Sequence, residues 1–178
     1  HGGKIWVESK KGIGSQFHFV VPLELTKDSV DAAQESESND LAMISDRLKG
    51  IKILLVEDNA FNIVVAREEL EDAIEEVQVS VAENGAIAIE KVRNADFDVI
   101  LMDVQMPIMN GYDATKGIRS LSADKSITPI IAMTANVLKE EVALCYEAGM
   151  NDFIGKPFDI EILLQKIYML TKSSKDTV

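Results

Sequence analysis

The chain has 178 residues, 47% of them hydrophobic and 27% charged, enough apolar surface to offset the entropy of ordering a core and to exclude a disordered chain. Asp and Glu outnumber Lys and Arg by 30 to 18, a net charge of −12 that argues against nucleic-acid backbones and anionic membrane surfaces as partners, since both need clustered basic residues. One cysteine, Cys145, allows no internal disulfide, and no secretory leader or apolar run near the roughly 18 residues of a spanning helix is present, so a reducing, cytoplasmic setting without direct membrane contact is expected.

Residues 1–25 read as a hairpin: Ile5-Trp6-Val7 and Phe17-His18-Phe19-Val20-Val21 are β-rich, with turn chemistry in Lys11-Gly12-Ile13-Gly14-Ser15. A hairpin alone is marginal in water. Because the chain opens on His1 rather than Met, directly on a motif, it reads as a piece of a larger protein. Residues 26–49 are expected to be a linker, rich in Ser, Asp, Glu and Gln up to Asp40. Leu41, Ile44 and Leu48 then recur at helical spacing and predict a short helix leading into a main domain over 50–172, followed by a tail over 173–178.

From Ile51 strands and helices alternate. Residues 51–56, 97–102 and 129–133 are nearly continuous apolar runs, as expected of parallel strands covered on both faces. Val77, Val79 and Val81 alternate with polar or small residues, which suits a strand nearer an edge, and Asp152-Phe153-Ile154 is the fifth strand. Between them, Ile63, Ala66, Leu70, Ala73 and Ile74 make one helical stripe, and Ile160, Leu163, Leu164, Ile167 and Leu170 make another. Gly85, Gly111, Gly149 and Gly155 fall at the junctions. Five βα units imply one doubly wound α/β domain, whose site forms outside the carboxyl ends of the strands.

Those ends carry Glu57-Asp58-Asn59, Asp103, Thr134-Ala135-Asn136 and Gly155-Lys156-Pro157-Phe158. Glu57, Asp58 and Asp103 crowd three carboxylates together, an arrangement that calls for a compensating cation. Mg²⁺ is the natural choice, since it takes a few carboxylates, a backbone carbonyl and waters. Lys156 and Thr134 offer a positive charge and a hydroxyl to phosphoryl oxygens. Asp103, in the middle of the sheet and held outward by Val104-Gln105-Met106-Pro107, is the best nucleophile of the three acids.

With those motifs in hand, residues 50–172 resemble the receiver domain of two-component response regulators. The resemblance rests on 54–59, on Met102-Asp103-Val104-Gln105-Met106-Pro107-Ile108-Met109-Asn110-Gly111 and on 155–158. It implies a five-stranded parallel sheet of order 2-1-3-4-5 with helices on both faces, the flavodoxin-like fold. It also implies that Asp103 accepts a phosphoryl group, that Glu57, Asp58, Asp103 and the Gln105 carbonyl bind Mg²⁺, that Thr134 and Lys156 contact the phosphoryl group, and that Phe153 is the aromatic switch. Residues 2–9 with 12–17 look like the closing hairpin of a histidine-kinase ATP-binding domain. Together the two resemblances imply a fragment of a hybrid sensor histidine kinase whose partners are a phosphohistidine domain or a histidine-phosphotransfer protein.

Gln105 and Asn136 border the path of an attacking water and are expected to tune acyl-phosphate lifetime. Phe61, Val64 and Val65 lie beyond the stripe the first helix needs for its core and are expected to dock a helical partner, with packing under the linker as the alternative. Phosphatases of the haloacid-dehalogenase kind place a second Asp two residues after the nucleophile, where this chain has Gln105; an inert interaction module is the other alternative. His18 belongs to a strand face, His1 to the chain end, and Cys145 to helix packing.

Overall fold

A computed structural model of the chain describes residues 2–10, 12, 14–22 and 41–175. His1, the turn residues Lys11 and Ile13, the linker over 26–40 and the last three residues of the tail lie outside them. The chain divides into two units, residues 1–37 and 38–178.

In the first unit β1 (Lys4–Lys10) and β2 (Gly14–Val20) pair antiparallel. The register sets Ile5 against Phe19 and Val7 against Phe17 on one face, and Trp6 against His18 on the other. The Trp6 and His18 rings stack with centroids 5.0 Å apart, which accounts for His18 as a strand-face residue.

The second unit begins with a helical segment over residues 41–47 (α1). Five strands follow: β3 (Lys52–Val56), β4 (Gln78–Ala82), β5 (Val99–Asp103), β6 (Ile130–Thr134) and β7 (Asp152–Gly155). All pair parallel in the order β4-β3-β5-β6-β7, which is 2-1-3-4-5 counted within this sheet. The connecting helices are α2 (Ala60–Ala73), α3 (Gly85–Asn94), α4 (Gly111–Arg119), the single turn α5 (Ala123–Ser126) and α6 (Lys139–Ala148), with α7 (Ile160–Lys175) closing the domain. This is the flavodoxin-like arrangement the sequence implies.

Strand side chains alternate between two cores. Ile53, Leu55, Val99, Leu101, Ile131 and Met133 face α1, α2 and α7. Leu54, Val56, Ile100, Met102, Ile130 and Ala132 face α3, α4 and α6. A strand buried on both faces has no polar side to show, which is why β3, β5 and β6 read as unbroken apolar runs. The α2 and α7 stripes meet the sheet through Ala66, Leu70, Leu163, Leu164 and Ile167.

The short helix expected from Leu41, Ile44 and Leu48 is present and packs on the sheet: Ile44 and Leu48 are buried there, and Ser45 Oγ donates to the Ala73 carbonyl. At the other end α7 continues to Lys175. Burial of one apolar stripe suffices to recruit a helix that composition groups with its polar neighbours.

Three asparagines start three helices at the site end of the sheet. Asn59 Oδ1 accepts from the backbone N–H of Phe61 and Asn62, Asn84 Oδ1 from Ile87, and Asn110 Oδ1 from Asp113. Gly111 is required by close approach: a Cβ there would lie 2.3 Å from the Asp103 carbonyl oxygen. That contact sets the start of α4 directly against the carboxyl end of β5.

Candidate active site

Parallel pairing aligns the carboxyl ends of β3, β5, β6 and β7, so Glu57, Asp103, Thr134 and Lys156 come to one edge although the sequence spreads them over a hundred positions. One carboxylate oxygen each from Glu57, Asp58 and Asp103 lies within 4.8 Å of the others. Glu57 is 2% exposed and Asp103 7%, while Asp58 is open to solvent. This graded burial, two acids walled in and one at the mouth, suits a hard cation that keeps part of its water shell.

Glu57 accepts three hydrogen bonds. Its Oε1 accepts from the Asn59 N–H at 3.2 Å and from Asn62 Nδ2 at 3.0 Å, and its Oε2 lies 2.5 Å from Lys156 Nζ. The same ammonium lies 2.8 Å from Asp103 Oδ2, and the Gln105 N–H donates to Asp103 Oδ1 at 3.2 Å. Burial pushes the Asp103 carboxyl above its ordinary range and outweighs the opposing pull of Lys156. Asp103 is therefore a carboxylate short of positive charge, which a divalent ion between the three acids would relieve. The oxygen donors, their spacing and their incomplete neutralisation all fit Mg²⁺.

Thr134 ends β6 and is 2% exposed. Its Oγ1 accepts from the Asn136 N–H at 3.1 Å and lies 3.0 Å from the Asn136 carbonyl and 3.3 Å from Glu141 Oε2. The hydroxyl thus faces the loop and α6, while its backbone carbonyl accepts from the Lys156 N–H. Asn136 is exposed, and its Oδ1 accepts from the Leu138 N–H. Phe153 is half-buried beside Ala132, its ring edge-on to Tyr146 with centroids 6.4 Å apart and 5.5 Å from Lys166 Nζ.

Phe61, Val64 and Val65 on α2 are exposed, with Phe61 at 74%. Phe61 and Val65 line a cleft of about 410 Å³ whose other walls include Glu57, Lys156, Pro157 and Phe158, so the apolar surface runs up to the acid cluster. Cys145 is buried between α4 and α6, a packing residue as expected.

Two contacts escape the sequence. Asn62, which holds Glu57, sits in a helix whose periodicity marks only the apolar face. Glu141 reads as an ordinary first-turn acid, favoured by the helix dipole, and nothing in its neighbours signals that it meets Thr134.

Comparison with known proteins places this geometry. Residues 53–168 match the response regulator receiver domain family. The aerobic respiration control sensor protein ArcB of Escherichia coli is 32% identical over 166 residues, covering 93% of this chain, which spans 20% of the length of that relative. A two-component response regulator of Oryza sativa is 43% identical over 117 residues, 65% of this chain and 90% of its own. Among solved structures, the receiver domain of a sensor histidine kinase from Pseudomonas aeruginosa, with a magnesium ion coordinated in its active-site cleft, is 36% identical with a TM-score of 0.64 and covers 69% of this chain and 98% of its own. The chain belongs to the response regulator receiver domain family of two-component signalling.

Proposed function

We propose that this chain is the receiver of a phosphorelay: it accepts a phosphoryl group from a phosphohistidine onto Asp103, with Mg²⁺ as cofactor, as part of a hybrid sensor histidine kinase. The observation that carries the reading is the closure of the site. Three carboxylates lie within 4.8 Å of one another, with Lys156 Nζ 2.8 Å from Asp103, at the end of the sheet's middle strand.

Asp103 Oδ attacks the phosphorus of a phosphohistidine protonated by solvent at its free ring nitrogen, the P–O bond forms as the P–N bond breaks, and the imidazole leaves as the neutral ring. Glu57, Asp58 and Asp103, with the Gln105 carbonyl, would hold the metal, which when bound would neutralise charge on the phosphoryl oxygens. Lys156 follows the charge that moves onto those oxygens, and Glu57 keeps the ammonium in place. The Thr134 hydroxyl turns from the loop to donate to a phosphoryl oxygen, and Phe153 moves into the space it leaves. Gln105 and Asn136, both exposed at the rim, govern the approach of the water that later cleaves the acyl phosphate.

The hybrid-kinase context is supported by the reach of the likeness to the ArcB sensor. It covers 93% of the chain, whereas the receiver family match begins at residue 53, so the shared sequence runs well into the segment before the receiver. We assign residues 1–25 to the closing hairpin of a kinase ATP-binding domain, 26–49 to the connection with its α1 segment, 50–172 to the receiver and the remainder to a tail. Partners are then a phosphohistidine-bearing domain or a histidine-phosphotransfer protein, docking through Phe61, Val64 and Val65, in the cytoplasm. No helix among the described residues is long and apolar enough to cross a membrane.

The test is donor specificity. Acetyl phosphate or a phosphorylated histidine-phosphotransfer protein, each with Mg²⁺, should label the chain, and labelled ATP alone should not; labelling by ATP, or by no donor, contradicts the reading.

A further inference from the structure

We infer that Glu141 is a positioning residue for the Thr134 hydroxyl: its carboxylate holds that hydroxyl away from Asp103 and must release it when Asp103 is phosphorylated. The inference deepens the reading of Asp103 as acceptor and Thr134 as phosphoryl contact, and rests on it.

The chemistry is a competition for one proton. Thr134 Oγ1 accepts from the Asn136 N–H, leaving its own hydrogen to be given to the Asn136 carbonyl at 3.0 Å or to Glu141 Oε2 at 3.3 Å. A phosphoryl oxygen on Asp103 needs that same hydrogen. Of the two acceptors the Asn136 carbonyl is the nearer and Glu141 carries the charge, so Glu141 adds to the hold of the loop on this hydrogen. Thr134 is buried, so water does not compete on equal terms for the hydroxyl.

Glu141 is placed to transmit the outcome. It lies in the first turn of α6, whose N-cap residue Leu138 makes no side-chain capping bond and where the helix dipole favours the acids Glu140 and Glu141. On its other side Glu141 faces Tyr112 of α4 and shares with Gln105, Asn110 and Tyr112 the open cleft beside the loop that follows Asp103. The phenol of Tyr112 is pushed up to about 12, first by burial and then by the charges of Cys145 and Glu141. Glu141 thus touches the end of β6 through Thr134 and lines, with Tyr112 of α4, the cleft on its other side.

A helix-dipole role alone would give Glu141 the same position, but it would not couple Glu141 to Thr134. A double-mutant cycle separates the two. Using the full chain, the affinity for beryllofluoride with Mg²⁺ is measured by titration while backbone amide resonances are followed by heteronuclear NMR. Glu141→Ala should tighten beryllofluoride binding about fivefold. In the ligand-free protein it should also move the Thr134 and Asn136 amide resonances part of the way to their beryllofluoride positions. Glu141→Gln, which keeps the shape and a weaker acceptor, should fall between Ala and the native protein and guards against a folding defect in the first variant. In a Thr134→Ala background the effect of Glu141→Ala should vanish. An unchanged affinity, or an equal gain with and without Thr134, overturns the inference and identifies the carboxylate as a helix-end charge or a simple repulsion. If Thr134→Ala by itself leaves beryllofluoride affinity unchanged, the role of Thr134 fails first and the inference falls with it.

Discussion

Lys156 Nζ lies 2.8 Å from Asp103 Oδ2, joining the loop after the fifth strand of the sheet to the end of its middle strand. The same ammonium also pairs with Glu57, whose side chain is 3% exposed. Replacing Lys156 with Met should therefore strand a buried charge and destabilise the domain by about 3 kcal/mol in Mg²⁺-free buffer at neutral pH. Added Mg²⁺ should restore part of the loss, because the metal answers the same carboxylates. Urea denaturation with and without Mg²⁺ checks this, and an unchanged midpoint in the variant would contradict the pairing.

Asp103 carries a stability consequence of its own. Burial raises its folded pKa above the ordinary value of 3.8, so between those two values the native state binds more protons than the unfolded one. Stability then falls as pH rises through that window, and above it the ionised Asp103 opposes folding. Asp103→Asn should raise the Tm at neutral pH without Mg²⁺ by a few degrees, about 1 kcal/mol, and the gain should shrink below the ordinary carboxylate pKa. Thermal melts at both pH values decide it; a variant less stable at neutral pH is the contrary result.

Much of this was legible in the sequence, for a physical reason. Strands buried on both faces have to be continuous apolar runs, so β3, β5 and β6 declare themselves. Polar residues needed at their carboxyl ends interrupt those runs abruptly, which is how Glu57, Asp103 and Thr134 stand out. What stayed hidden depends on contacts between distant elements. Nothing local shows that Ile44 and Leu48 pack on the sheet, that Asn62 holds Glu57, or that Glu141 meets Thr134. Their residue types have ordinary explanations wherever they occur.

Arg119 is another such residue. Its guanidinium donates to the Gly149 carbonyl at 2.9 Å, to the carbonyls of Ser126 and Thr128 at 2.7 and 2.8 Å, and to Asn151 Oδ1 at 2.7 Å, with no carboxylate among these partners. It ties the loop before β6 to the turn before β7. Arg119→Met should cost about 3 kcal/mol by leaving these acceptors unpaired, while labelling stoichiometry at Asp103 stays at the native level where both proteins are folded. Calorimetry and acetyl-phosphate labelling below both melting temperatures check the two halves separately.

The exposed ring of Phe61 tests partner docking. Phe61→Glu should lower the ratio of the transfer rate from a histidine-phosphotransfer protein to that from acetyl phosphate by about tenfold, the scale of an apolar anchor lost from an interface. Stopped quench-flow with both donors gives the ratio, and an unchanged value would place docking elsewhere.

The central claim is that Asp103 carries the phosphoryl group. Incubation with acetyl phosphate and Mg²⁺, followed by borohydride reduction and peptide mass spectrometry, should place a single modified residue at Asp103. The signal should be lost when Mg²⁺ is chelated and in Asp103→Asn. Retention of label in Asp103→Asn, or its mapping to any other residue, would contradict the assignment.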